Sequence, residues 1–272
     1  MTTATPVILE SGALAPVPRS IPFAAAVRQS FTMGYRGLLK IRHNPEQLFD
    51  VVLQPIIFTL MFTYIFGGAI SGNIHSYLPV IIPGILVQTV ITTSVVTGTQ
   101  LREDMEKGVF DRFRSLSIAR ISPLAGALLA DVVRYLIASV ITFAIGIAMG
   151  WRPDVFGVFA SVALVMVCSF AVSWIFALMG CLMKKATAVQ GLSMLIMFPL
   201  TFMSNAFVPV NTMPGWLQAF VKINPISHLV TAVRELTNNG HVGIHVVWSL
   251  IGAAVIVAIF APLAVRAYMR EA

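Results

Sequence analysis

The chain has 272 residues, of which 57% are hydrophobic and only 11% are charged, and its mean hydropathy is +0.87. Soluble domains carry about 25% charged residues, so this composition excludes a soluble enzyme, and the high hydrophobicity excludes a disordered chain. An integral membrane protein remains. We interpret the net charge of +7 as a topology signal and predict membrane lipids but no nucleic acid as partners, because the basic residues lie between hydrophobic runs.

The N-terminal region divides into two parts. Residues 1–21 are rich in Pro, Thr, Ala and Ser and predict a disordered cytoplasmic tail. Residues 22–47 predict an amphipathic helix in the membrane interface, broken at Asn44–Pro45. An ordinary helix that anchors the first span is the alternative. The apolar arc of this helix contains Phe23, Val27, Phe31, Tyr35, Leu38 and Ile41, and its basic side contains Arg28, Arg36 and Lys40.

Six hydrophobic runs follow, at about 48–70, 78–100, 124–150, 155–183, 187–208 and 244–265. Each is long enough to cross a bilayer as a helix of about 20 residues. Because lipid offers no hydrogen-bond partners to the backbone, these runs must be helical. The sequence therefore predicts an all-α polytopic membrane protein, with a six-helix transmembrane unit over 48–272.

The basic residues are distributed unevenly among the loops. The loops on one side carry fourteen Lys and Arg residues and those on the other carry three. By the positive-inside rule, both termini lie in the cytoplasm and the chain is a multi-pass protein of the cell membrane.

Two loops are unusual. The predicted cytoplasmic loop over 101–122 is dense in both charge signs and contains Phe110 and Phe113, which suits docking to a partner protein. A solvated loop that only fixes topology is the alternative. The outer loop over 209–240 predicts two short apolar helices, separated at Asn224–Pro225, that dip back toward the bilayer.

The motifs of self-contained catalysis are absent from the sequence. Gly is never followed by Lys, so the chain has no phosphate-binding P-loop. His241 and His245 are four residues apart, but no Cys or carboxylate lies near them in the sequence, and we predict a solvated loop there. We predict no enzymatic activity, bound cofactor or metal for this chain.

The segment EKGVFDRFRSL at 106–116 resembles the cytoplasmic signature of type-2 ABC exporter permeases, especially those of the daunorubicin-resistance type from actinobacteria. Three further segments agree: QPIIF at 54–58 with YIFGG at 64–68, PGI at 83–85, and PGWLQ at 214–218 with NPIS at 224–227. The resemblance covers about 20–270. It implies a dimer of permeases, most simply a homodimer, that pairs with two copies of a separate ATP-binding cassette subunit carrying ATP and Mg.

The resemblance also implies a coupling helix that a cleft in the ATPase subunit receives. The docking residues would be Glu103, Glu106, Lys107, Gly108, Phe110, Asp111, Arg112, Phe113 and Arg114. The elbow helix at 22–43 would lie on the same side, and the outer helical pair would be half-inserted before the last span.

Polar residues inside the spans allow two interpretations. They could line a substrate path or could hold helices together, as small and polar residues do in membranes. The candidates are Gln54, Thr89, Thr93, Thr97 and Gln100. Asp131 and Arg134, spaced i and i+3, predict a neutralising pair near the start of the third span.

These features predict the permease subunit of an ATP-driven exporter of a hydrophobic or amphipathic drug. Export of a lipid or of a polysaccharide-lipid conjugate is the first alternative. A membrane-embedded lipid-modifying enzyme that uses His228, His241 and His245 is the second.

Overall fold

A computed structural model describes residues 23–43, 45–109 and 121–271, so the predicted tail at 1–21 lies outside it. The described residues form helices joined by turns and short non-helical segments, and they contain no strand. The helices are α1 (Phe23–His43), α2 (Pro45–Ser71), α3 (Ile74–Glu106), α4 (Ser122–Ala148), α5 (Val155–Leu182), α6 (Ala186–Phe202), a 3-10 turn (Val210–Thr212), α7 (Gly215–Ile223), α8 (Pro225–Asn239) and α9 (Ile244–Glu271). The predicted all-α polytopic fold is confirmed.

Five helices are long and apolar enough to cross a membrane, namely α2, α3, α4, α5 and α9. The sixth candidate, α6, has 17 residues, which at 1.5 Å per residue rise only about 25 Å. The fifth run was predicted to extend to residue 208, and this boundary is wrong because the helix ends at Phe202. The count of six spans stays a prediction.

The helices run alternately between two ends of the bundle. At one end, which we call the basic end, α3 finishes and α6 begins, and a buried cluster joins Leu101, Leu124, Ala177, Cys181 and Tyr268. At the opposite end, which we call the hairpin end, α8 lies against the start of α3 and of α5, and α7 contacts α8. Both termini of the α2–α9 bundle are therefore at the basic end.

Helix α1 packs on α4 through small residues. Gly34 lies against Leu129 and Gly37 lies against Ala130, so the two helices approach closely. The apolar arc predicted for α1 does not face α4, since the side chains of Phe31 and Tyr35 are each 63% exposed. The arrangement leaves an apolar stripe free of the protein, as the membrane-interface prediction requires.

Helix α3 is the centre of the bundle and contacts α2, α4, α5, α6 and α8. Its closest approach is to α5, where a Cβ on Gly98 would collide with the Phe176 carbonyl and a Cβ on Gly180 would collide with the Gly98 carbonyl. Glycine is needed at both positions because backbone lies directly against backbone.

Beyond α6 the chain continues as a non-helical segment that is buried in protein. Ser204, Ala206 and Phe207 are almost fully buried, and the Ala206 carbonyl lies against Gly84 of α3. The Phe207 ring stacks on Phe62 of α2 at a centroid distance of 4.5 Å. Non-helical backbone is tolerated at membrane depth only where protein encloses it, and this segment meets that condition.

The outer loop forms the two predicted short helices. Asn224 separates them and caps α8 by accepting a hydrogen bond from the Ile226 amide at 3.0 Å. Helix α8 is buried along its predicted apolar face, whereas Trp216 and Ile223 of α7 are 67% and 82% exposed. Helix α7 therefore presents apolar side chains away from the protein.

Candidate functional site at the basic end

The C-terminal turn of α3 is tied to the start of α6. The Glu106 carboxylate accepts a hydrogen bond from the Ala186 backbone amide at 2.6 Å, and Arg102 lies 3.6 Å from the same carboxylate oxygen. A carboxylate at a helix N-terminus satisfies a free amide and complements the helix dipole. Two loops that are 80 residues apart in the sequence are thereby joined.

The predicted coupling segment is only partly described. Residues 101–106 were predicted to begin a separate helix, and this is wrong because they continue α3 without a break. Between Leu101 and Gly108 there is no proline and no residue with a left-handed backbone, and Gly108 is the first such residue, with a φ of +64°. Lys107 pairs with Glu103 at 3.3 Å on the exposed surface. Phe110, Asp111, Arg112, Phe113 and Arg114 lie outside the described residues.

A buried polar network joins α3 to α4 about one turn further into the bundle. Arg134 donates to Asp131 at 2.7 Å and to Gln100 at 3.0 Å, and Thr97 hydrogen-bonds to the other Asp131 oxygen. Asp131 and Arg134 are only 2% and 3% exposed. The neutralising pair predicted from the i, i+3 spacing is confirmed, and its bonds to α3 are a further finding.

The proposed path residues occupy different surroundings. Thr89, Thr93 and Thr97 are buried among the helices of this chain, and the Thr93 hydroxyl donates to the Thr89 carbonyl at 2.9 Å. Gln54 is half-buried on α2. Gln100 lines a cavity of about 70 Å³ between α1, α3 and α4. The burial of the three threonines is what helix packing requires, and their role in a path stays a prediction.

The hairpin end is held by side chains that sequence reasoning missed. Pro83 has no N–H, so the Pro79 carbonyl of α3 lacks its helical partner, and Asn238 of α8 donates to it at 3.0 Å. Arg234 of α8 donates to the Val80 carbonyl at 2.9 Å and to the Asn205 carbonyl at 3.1 Å. Burial lowers the pKa of Arg234 to about 10, so this side chain is a cation at neutral pH.

We expect Arg234→Ala to lower the free energy of unfolding, because the substitution removes the donor from two carbonyls at once. Each unsatisfied buried carbonyl costs about 1–3 kcal/mol. Thermal unfolding in detergent micelles measures the effect. Asn239→Ala is the matched control, since Asn239 is an exposed residue at the end of the same helix. Equal stability of the two variants would contradict the role of Arg234.

The Glu106 and Arg234 contacts have a common reason for escaping sequence analysis. Each joins a side chain to a backbone group that is 29 to 154 residues away, and a backbone group has no sequence signature. The sequence offers one indirect indication. Pro83 inside α3 leaves the Pro79 carbonyl without its helical donor, so another group in the folded chain must donate to it.

Comparison with known proteins places these features in a family. Residues 28–237 match the ABC-2 type transporter family. The chain is 45% identical over 250 residues to the daunorubicin resistance ABC transporter permease protein DrrB1 of Streptomyces coeruleorubidus. The aligned region covers 91% of this chain and 88% of that protein. It is also 26% identical over 182 residues to the probable doxorubicin resistance ABC transporter permease protein DrrC of Mycobacterium tuberculosis. This aligned region covers 64% of each of the two chains.

The match covers α1 through most of α8, including the tied ends of α3 and α6 and the buried network between α3 and α4. The resemblance inferred from four short motifs is thus confirmed over most of the chain. This multi-pass membrane protein belongs to the ABC-2 type transporter family.

Proposed function

We propose that this chain is the permease subunit of an ATP-driven exporter that moves a hydrophobic or amphipathic drug out of the cell. The carrying observation is the 45% identity, over nearly the whole chain, to a protein named as a daunorubicin resistance permease. The second relative is named for resistance to doxorubicin, a name that points to the same kind of cargo.

The energy source in this proposal is a separate subunit. The sequence lacks the Gly-Lys pair of a P-loop, so two copies of an ATP-binding cassette partner would hold ATP and Mg. A second copy of this permease would complete the transporter. The excess of Lys and Arg in alternate loops supports an orientation with both termini, and hence the basic end, in the cytoplasm.

The proposed transmission runs through the C-terminal turn of α3. The partner would bind the coupling segment at 101–122, and Glu106 would pass its displacement to α6 through the bond to Ala186. Gln100 and Arg134 would carry the same displacement to α4. ATP can drive this change only through states that contact the segment differently.

The function is tested by drug efflux from vesicles. The purified permease is reconstituted with its ATP-binding cassette partner, and transport of doxorubicin is followed by its fluorescence. We expect ATP-dependent movement only when both subunits are present. Transport or ATP hydrolysis by the permease alone would contradict the proposal, and ATP-dependent movement of a labelled lipid without any doxorubicin transport would favour a lipid exporter.

We expect Glu106→Lys to lower drug-stimulated ATPase activity of the reconstituted complex, because the substitution replaces the acceptor of the Ala186 amide by a cation. Loss of a helix cap costs on the order of 1 kcal/mol, so insertion and folding should survive. Glu106→Gln is the control, since its amide oxygen can still accept this hydrogen bond. Full coupling in Glu106→Lys would exclude the transmission role.

A further inference from the structure

Two histidines from different helices meet at the hairpin end. The Nδ1 atoms of His228 in α8 and His245 in α9 are 3.1 Å apart. The planes of the two rings differ by 27°, and their centroids are 5.4 Å apart. This is the head-to-head arrangement of a hydrogen bond between two imidazoles. We call it the histidine contact, and it joins α8 to the first turn of α9.

The two histidines that lie close together in the sequence, His241 and His245, have different surroundings. His241 is exposed in the non-helical segment before α9, as the predicted solvated loop requires. The prediction of a loop is wrong for His245, because α9 begins at Ile244 and includes it. Its partner is 17 residues away, outside the spacing that drew attention to the sequence pair.

The histidine contact needs one ring nitrogen that carries a proton and one that does not. A neutral imidazole has one nitrogen of each kind, whereas an imidazolium has protons on both and can only donate. The hydrogen bond therefore exists when both rings are neutral and also when one ring is charged. When both rings are charged, two donors and two positive charges face each other, and repulsion replaces the bond.

One carboxylate lies beside the histidine contact. Glu235 Oε1 is 3.9 Å from His245 Nε2, which is too far for a hydrogen bond but near enough to attract a charged ring. It is the only acidic group within 4.0 Å of either histidine among the described residues. A single carboxylate offsets the first positive charge on the pair and leaves the second without a partner.

The other ionisable side chains around the hairpin end are exposed or are bonded to other groups. The exposed ones are His75, Arg152, Lys222 and His241, and those bonded elsewhere are Tyr77, Asp154 and Arg234. Helix α9 has no second ionisable side chain before Arg266, and α5 offers only two cysteines. A change of charge at the histidine contact therefore comes from the two histidines and from Glu235 beside them.

We propose that the histidine contact is an acid-sensitive switch, which holds α8 to α9 at neutral pH and releases it when both rings are protonated. Histidine changes its charge between about pH 8 and about pH 5. The open form binds two protons where the closed form binds one, so a rising pH favours the closed form. A difference of one proton changes the ratio of closed to open forms by about 10-fold per pH unit.

The switch goes beyond the proposed export function, since it regulates the hairpin end and not the coupling to ATP. With both termini in the cytoplasm, as proposed above, the hairpin end faces the outside of the cell. Acid outside the cell would then loosen the connection between α8 and the last span, whereas acid in the cytoplasm would not reach it.

The test uses the full chain in lipid nanodiscs without ATP or drug. Hydrogen–deuterium exchange of the backbone amides of α8 and of the first turn of α9 is measured at about pH 8 and about pH 5. The rates are corrected for the intrinsic exchange rate at each pH. Trp248 gives a second reading, because its ring is 6.5 Å from that of His228 and a protonated imidazole quenches indole fluorescence. Trp248→Phe identifies the signal from this ring.

The informative variant is His245→Gln, whose amide can donate to His228 or accept from it, whatever the charge on that ring. His241→Gln is the matched control, since it makes the same change at an exposed histidine. We expect acid to lower the protection of α8 by about 10-fold or more in the wild type and in His241→Gln. Protection in His245→Gln should not change with pH, and His228→Gln should behave in the same way.

Glu235→Gln tests the role of the carboxylate. Nothing then offsets a positive charge on the pair, so we expect release at a less acidic pH than in the wild type. Three outcomes would overturn the switch: equal protection of the wild type at both pH values, the same acid-induced loss in both His245→Gln and His228→Gln, or acid resistance in His241→Gln. None of these results depends on transport, so they are independent of the proposed exporter function.

Discussion

Arg134→Met is expected to destabilise the folded chain by about 3–5 kcal/mol, the cost of leaving a buried charge without its partner. The Asp131 carboxylate is 2% exposed and receives its charged hydrogen bond from Arg134 at 2.7 Å. Methionine has a similar length but no charge, so the change removes the electrostatic partner and largely preserves packing. Unfolding by sodium dodecyl sulfate in mixed micelles measures the loss.

The double variant Asp131→Asn/Arg134→Met separates charge from shape. It removes both charges and keeps a polar group beside Thr97, so we expect it to recover most of the stability lost by Arg134→Met. A double variant as unstable as the single one would mean that the guanidinium acts through its hydrogen bonds to α3 and not through its charge.

Gly98→Leu is expected to disrupt the packing of the bundle core severely. A Cβ at this position already collides with the Phe176 carbonyl of α5, so a leucine would force α3 and α5 apart. Overpacking a core costs about 1–3 kcal/mol and sometimes more, and here the obstacle is backbone that cannot rotate away. Thermal unfolding and the yield of monodisperse protein in detergent measure the result.

Gly252→Leu in α9 is the matched control for Gly98→Leu. It makes the same chemical change within another apolar helix, but no atom lies within 4 Å of the added Cβ. We expect near wild-type stability and yield. If both variants behave alike, the close approach of α3 and α5 is not what limits substitution at residue 98.

The parts of the fold that the sequence predicts are those with a local cause. Hydrophobic runs of sufficient length locate α2, α3, α4, α5 and α9, and proline after Asn224 locates the break between α7 and α8. The pair Asp131 and Arg134 was predictable because i, i+3 spacing puts two side chains on one helix face. In each case the cause lies within one or two turns of chain.

The errors have a physical cause as well. Residues 203–208 are apolar enough to extend the fifth run, but hydropathy measures burial and not helicity. Here protein, and not lipid, covers the backbone. Likewise, the charges at 101–106 suggested a new element, whereas helix α3 extends past its apolar part because no residue before Gly108 stops it.

The candidate site was predictable in composition but not in connectivity. Charges of both signs identified the segment after α3 as special. The bond that ties Glu106 to α6 depends on a backbone amide 80 residues later, and no periodicity reports such a contact. The same holds for His228 and His245, whose Nδ1 atoms are 3.1 Å apart only because α8 and α9 fold back on one another.

The proline in α3 also has a consequence for the order of synthesis. The Pro79 carbonyl, which Pro83 leaves without its helical donor, receives a hydrogen bond from Asn238, which is 159 residues further along. At about 5–20 residues per second, a ribosome needs roughly 8–30 s to make the intervening chain. During that interval water must solvate this carbonyl, and the hairpin end can close only after translation has passed residue 238.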